Sequence, residues 1–180
     1  GNDLPASIPQ LGATSMSVAI VTDSTSDLPA ELAREHGITV VPLYVHFGDV
    51  AYRDGVEIQG EEFYARLQSE KTFPTTSAPS AGTFMEVYRQ LAKDHDAIIS
   101  LHLSSKVSAT YSAARQAAEE MKNEGITVEP VDTLQASMAL GLVAIEAAKA
   151  AAAGASVPEI VTLAKSLSAR AKFTGLVETL

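Results

Sequence analysis

Short apolar runs rich in β-branched residues alternate along this chain with longer segments whose apolar positions recur every three or four residues. Val18 to Val21 reads as a strand, and Pro29 to His36 reads as a short helix closed by Gly37. Ile38 to Phe47 is strand-like on both sides of Pro42, which predicts an edge or a bend there, and Gly48-Asp49 predicts a turn. Gln59 to Glu70 carries Phe63, Tyr64 and Leu67 at helical spacing, and 71–79 reads as a loop with two prolines. Ser80 to Lys93 places Phe84, Val87, Tyr88 and Leu91 on one face of a helix. Ala97 to Leu103 is a continuous apolar strand of the kind buried on both faces of a parallel sheet.

After that strand, Ser108 or a neighbour is expected to cap a helix running to about Asn123, with Gly125 as its stop. Ile126 to Val131 predicts a strand, Thr133 to Ala153 a long alanine-rich helix, and Val157 onward a last helix to about Ala171. Phe173 to Val177 is expected to be one more strand. Strands alternating with helices define an α/β fold with a mostly parallel sheet and flanking helices.

Hydroxyl side chains cluster in three places, each after an apolar run and before a helical stretch. These are Thr22 to Ser26, Thr75 to Ser80 and Ser104 to Thr110. In a sheet with helical crossovers, strand ends gather along one edge, where neutral donors and helix N-termini receive an anion. Serine and threonine are also ordinary N-caps, but a cap needs one hydroxyl and each cluster offers four.

Thirteen basic against 22 acidic residues give a net charge of -9, which disfavours nucleic acid as a partner. There is no cysteine, so disulfides, thiolate metal sites and cysteine nucleophiles drop out together. Gly1 to Met16 has neither a basic nor an apolar signal-peptide region and is expected to be a flexible leader. The alanine-rich run carries Glu146 and Lys149 and makes a poor membrane span, so a cytoplasmic location is expected.

Neither G-x-G-x-x-G nor G-x-x-x-x-G-K-[ST] occurs, and no serine sits in G-x-S-x-G. His36, His46, His95 and His102 lack zinc-ligand spacing, so no metal and no cofactor is expected. His46 and His102 lie in strand runs that could approach the sheet edge. Asp23 follows a strand as the aspartate of a phosphotransferase would, although a turn-former accepting backbone N–H groups is the plainer reading. A hydrolase or phosphotransferase using Asp23 or a clustered serine therefore stays open, as does a protein-interaction module with an acidic surface. Only Lys71 and Lys106 lie near the clusters, which suits a carboxylate better than a phosphate. An alkyl chain on that carboxylate would add roughly 0.8 kcal/mol per buried methylene.

At Val18 to Pro29, Pro42 to Val45, Thr75 to Ser80, Leu103 to Ala113 and Val131-Asp132, the chain resembles the DegV family of bacterial fatty-acid-binding proteins. It departs from the family's T-S-Q-P at Ala78 and from its L-S-G-T at Ala109, and neither change removes a hydroxyl. The resemblance implies that Thr76 and Ser108 hold the carboxylate of a long-chain fatty acid, with Ser105 and Ser77 in second rank. It also implies two domains with the acyl chain between them, and a carrier that presents the fatty acid to a kinase for phospholipid synthesis. On this basis 1–16 is the leader, 17–154 the α/β domain with the carboxylate-binding loops, and 155–180 the start of a truncated second domain.

Overall fold

The computed structural model describes residues 16–69, 73–103, 108–135 and 137–178, the last eight of these by backbone alone. Four parallel strands form the main sheet in the order β2-β1-β6-β7, with β1 Val18–Asp23, β2 Ile38–Val41, β6 Ala97–His102 and β7 Val128–Asp132. Between β2 and the helix leading to β6, the chain inserts a three-stranded antiparallel sheet of order β4-β3-β5, with β3 Tyr44–Phe47, β4 Val50–Arg53 and β5 Thr75–Ser77. The α/β architecture with a parallel sheet and flanking helices is the expected one.

Strand alternation decides which helix packs where. Val18 and Ile20 of β1, with Ile99 and Leu101 of β6, face α5 (Ser137–Ala152) and α6 (Val157–Glu178), where Leu140, Ala144, Ala147, Ile160 and Ala164 complete the core. Ala19, Val21 and Ile98 face the other way, against Phe84 and Tyr88 of α3 (Ala81–Ala92) and Ala114, Ala117 and Met121 of α4 (Thr110–Met121). The alanines of α5 let the helix sit close to the sheet. At Gly141 an added Cβ would lie 2.8 Å from the Ser26 carbonyl oxygen, so this position has no room for a side chain.

The helix ends follow local chemistry. Ser80 Oγ accepts the Thr83 N–H at 3.1 Å and starts α3. Gly37, at φ 65°, lets the chain leave α1 (Ala30–Glu35) in a left-handed turn. α5 begins at Ser137 rather than at Thr133. Leu134 is left-handed at φ 58°, and the Thr133 hydroxyl accepts the Gln135 N–H at 3.2 Å, so the chain turns before it coils.

Three expectations need correction. Pro42 marks more than a bend: β2 ends in the parallel sheet and β3 opens the second sheet. The loop expected at 71–79 contains β5, a polar three-residue strand with no alternation to reveal it, held by pairing of Thr75, Thr76 and Ser77 with His46, Val45 and Tyr44. The strand expected at Phe173 to Val177 is helix, because α6 continues to Glu178. A short apolar run does not distinguish strand from helix, and a helix already under way gains a hydrogen bond with each added residue. Apart from Met16, the expected leader lies outside the described residues.

Candidate functional site

β1 and β6 are the two central strands of the parallel sheet, and from them the crossovers run outward in opposite directions, to β2 through α1 and to β7 through α4. The crevice at their C-terminal ends is the topological switch point, where sheets of this kind bind ligands. The first hydroxyl cluster ends β1, and the third follows β6. The sequence placed them in separate loops, and the parallel pairing of β1 with β6 makes them neighbours.

The second cluster is brought in by one hydrogen bond. Ser24 Oγ accepts the Leu43 N–H at 3.0 Å, which ties the start of β3 to the end of β1. Tyr44, the next residue, pairs with Ser77. All three clusters therefore border the same end of the parallel sheet. Thr76 and Ser77 point to opposite faces of β5. Ser77 Oγ lies 2.7 Å from His46 Nε2, whereas Thr76 shares the face of Val45, which packs with Ile58 and Phe63.

Hydroxyl protons differ in availability. The Thr76 side chain is exposed and makes no hydrogen bond among the described residues. The Ser24 oxygen accepts from Leu43, and its own proton remains free. Ser108 Oγ accepts the Thr110 N–H at 3.2 Å and lies 2.8 Å from the buried Thr110 Oγ1, so it closes a turn just ahead of α4, whose N-cap is Ala109 without a side-chain cap. Thr25 is committed, since its hydroxyl donates to Asp23 Oδ1. Ser105 lies outside the described residues. Thr22 and Ser26 are fully buried, and neither hydroxyl finds a partner.

Asp23 is the turn-former that its position suggested. Its Oδ1 accepts the Thr25 N–H at 2.8 Å, while Oδ2 lies 2.7 Å from His102 Nδ1. His102 Nε2 lies 2.6 Å from Ser100 Oγ, and Tyr88 donates to that same oxygen at 2.8 Å. Sequence reasoning weighed His102 alone and missed Ser100 and Tyr88. The i, i+2 spacing of Ser100 and His102 on one strand face was the available signal. Acid, imidazole and hydroxyl are linked here as in a hydrolase. All of them have 0% exposure, so no substrate reaches Ser100 Oγ. Burial pushes the Tyr88 phenol well above its ordinary pKa, with the Ser100 hydrogen bond a smaller opposing effect.

A cavity of about 710 Å³ opens beside the switch point, between α1 with β2 and residues 54–60. Ser24 lines it, with Leu28, Ala33, Ile38, Val40 and Ile58, but Thr76, Ser77 and Ser108 do not. Among the described residues no group of three potential ligands could hold a metal ion, and no helix is long and apolar enough to cross a membrane.

Fold and site together define an α/β domain with hydroxyl clusters at the switch point of its parallel sheet. A family model described as "Uncharacterised protein, DegV family" matches residues 17–180, and the chain belongs to the DegV family. A DegV domain-containing protein of Deinococcus radiodurans is 41% identical over 165 residues, 92% of this chain and 58% of that protein. Protein DegV of Bacillus subtilis is 40% identical over 144 residues, 80% of this chain and 50% of that protein. Among solved structures, DegV of Bacillus subtilis, described as a fatty acid binding protein, superposes with a TM-score of 0.81 at 36% identity. That match covers 86% of this chain and 54% of the other. A DegV family protein from Thermus thermophilus, solved for its fatty acid binding, gives 0.77 at 38% identity, covering 85% and 54%. The chain thus spans about half the length of the relatives it matches.

Proposed function

We propose that this chain carries the carboxylate-recognition half of a fatty-acid carrier. The observation behind this reading is the meeting of three hydroxyl clusters at one switch point, where Thr76 and Ser24 keep unengaged protons. Thr76 and Ser108 receive the carboxylate of a long-chain fatty acid, with Ser105 as a further donor, while Ser77 holds His46 on the other face of β5. Ser24 joins them from the first cluster. Two or three neutral hydrogen bonds suit a monoanion, and an alkyl tail supplies affinity at roughly 0.8 kcal/mol per buried methylene. The fatty-acid binding described for the solved relatives agrees with this reading.

On this reading the protein is a non-enzymatic carrier, works in the cytoplasm and presents the carboxylate to a fatty-acid kinase as phosphoryl acceptor. Residues 17–154 carry the recognition loops, α6 packs on the same sheet through Ile160 and Ala164, and a second domain, for which the longer relatives have the length, walls the acyl chain. Mass spectrometry of organic extracts from a purified chain as long as its relatives tests the ligand. Stoichiometric fatty acid is expected, with loss in the Thr76→Ala, Ser108→Ala double variant, and lipid retained by that variant overturns the site. Titration of the 180-residue chain and the longer one with a fluorescent fatty acid tests the second wall, and equal affinities would sink it. Acyl phosphate should form from ATP only when kinase and carrier are combined.

A further inference from the structure

Tyr88, Ser100, His102 and Asp23 form one buried chain of hydrogen bonds. Tyr88 donates to Ser100 Oγ at 2.8 Å. The Ser100 proton then has His102 Nε2, at 2.6 Å, as its acceptor. That leaves the imidazole proton on Nδ1, which donates to Asp23 Oδ2 at 2.7 Å. Beyond it, Asp23 Oδ1 accepts from Thr25 N–H and the Thr25 hydroxyl. The Phe84 ring stands edge-on to the imidazole with centroids 5.1 Å apart and fixes its plane.

Three of the four lie on elements that lead to the three hydroxyl clusters. Asp23 lies within the first. His102 ends β6, whose continuation reaches Ser108 at the head of α4. Tyr88 belongs to α3, which starts at Ser80 of the second cluster. No other series of side-chain hydrogen bonds among the described residues links all three elements.

We propose that Tyr88, Ser100, His102 and Asp23 act together as the positioning unit of the carboxylate site, setting the relative placement of the elements that carry Thr76, Ser108 and the first cluster. This rests on the fatty-acid reading. None of the four touches the ligand; they act through the Asp23–Thr25 turn, the β6 terminus and α3. A unit of this kind is sensitive to the direction of its hydrogen bonds, whereas core packing alone is sensitive to volume.

Tyr88→Phe removes one hydroxyl and keeps the ring packed against Phe84, and Ser100→Ala breaks the next link. In a chain as long as its relatives, each is expected to weaken binding of a fluorescent fatty acid by about three- to tenfold, the scale of one lost hydrogen bond. The double variant should lose no more than the worse single one, because both break the same unit. Nitrogen-15 NMR of His102 should show the proton held on Nδ1 in the wild type and in both variants, because the Asp23 carboxylate accepts it in all three. Additive losses, or an Nε2 proton in the wild type, overturn the proposal. Wild-type binding matched by Tyr88→Phe at unchanged fold overturns the positioning role alone, and a wild type that binds no fatty acid overturns the functional reading with it. If Tyr88→Phe does not fold, Ser100→Ala with the same binding titration carries the decision.

Discussion

His102 Nδ1 lies 2.7 Å from Asp23 Oδ2, with both side chains at 0% exposure and the two residues 79 positions apart in the chain. The contact joins the ends of the two central strands where their crossovers diverge. It also explains how a carboxylate is tolerated there, since Asp23 collects donors from Thr25 as well as from His102.

Truncating Asp23 would leave the Thr25 N–H, the Thr25 hydroxyl and His102 Nδ1–H without their acceptor. Asp23→Ala is expected to cost about 2–4 kcal/mol, because each stranded buried donor costs on the order of 1–3 kcal/mol before relaxation. Urea denaturation measures it. A midpoint within error of the wild type would contradict the buried network.

Thr76 and Ser108 should separate binding from stability. The Thr76 side chain is exposed and without a hydrogen-bond partner among the described residues, so Thr76→Ala should leave the melting temperature unchanged and weaken fatty-acid binding about tenfold or more. Ser108→Ala removes the acceptor of the Thr110 N–H as well, and should cost about 0.5–2 kcal/mol of stability along with affinity. Calorimetry and ligand titration on the same samples compare the two.

Gly141 marks the closest approach of α5 to the first cluster. A methyl group there would sit 2.8 Å from the Ser26 carbonyl oxygen, and backbone cannot swing aside as a side chain can. Gly141→Ala is expected to destabilise by about 1–3 kcal/mol despite the better helix propensity of alanine. An unchanged or raised melting temperature would contradict that contact.

Arg89 clamps the Glu124 carboxylate with hydrogen bonds of 2.9 and 3.1 Å from Nε and 2.9 Å from Nη2, on the surface between α3 and the turn after α4. The bonds from Arg89 hold the Glu124 pKa below its ordinary value. Any stability the pair contributes is present above the unfolded glutamate pKa and is lost as pH falls through the lowered folded one. Melting curves of wild type and Arg89→Ala should converge on acidification through that window, with a small gap at neutral pH because the pair is solvent-screened. A gap that widens in acid would reverse the sign.

The helices and strands of the parallel layer were legible because burial on defined faces imposes a period. Phe84, Val87, Tyr88 and Leu91 marked α3, and Ala97 to Leu103 marked β6. The inserted sheet was not. β4 is largely exposed and β5 is a Thr-Thr-Ser tripeptide, so neither has an apolar face to announce it, and both exist through backbone pairing with β3. Phe173 to Val177 failed for the opposite reason, since four strand-compatible side chains carry no information about whether a neighbouring strand is present.

The sequence alone determined the α/β class, the family resemblance and the three groups of hydroxyls, because periodicity and local composition are properties of contiguous residues. Only the tertiary structure decided that these groups border one sheet end. It also decided that Thr76 and Ser77 face opposite ways, and that Asp23 is joined to His102, Ser100 and Tyr88 in the core. Those relations depend on which strands pair and in what register, and pairing is a choice between distant segments that no local pattern encodes.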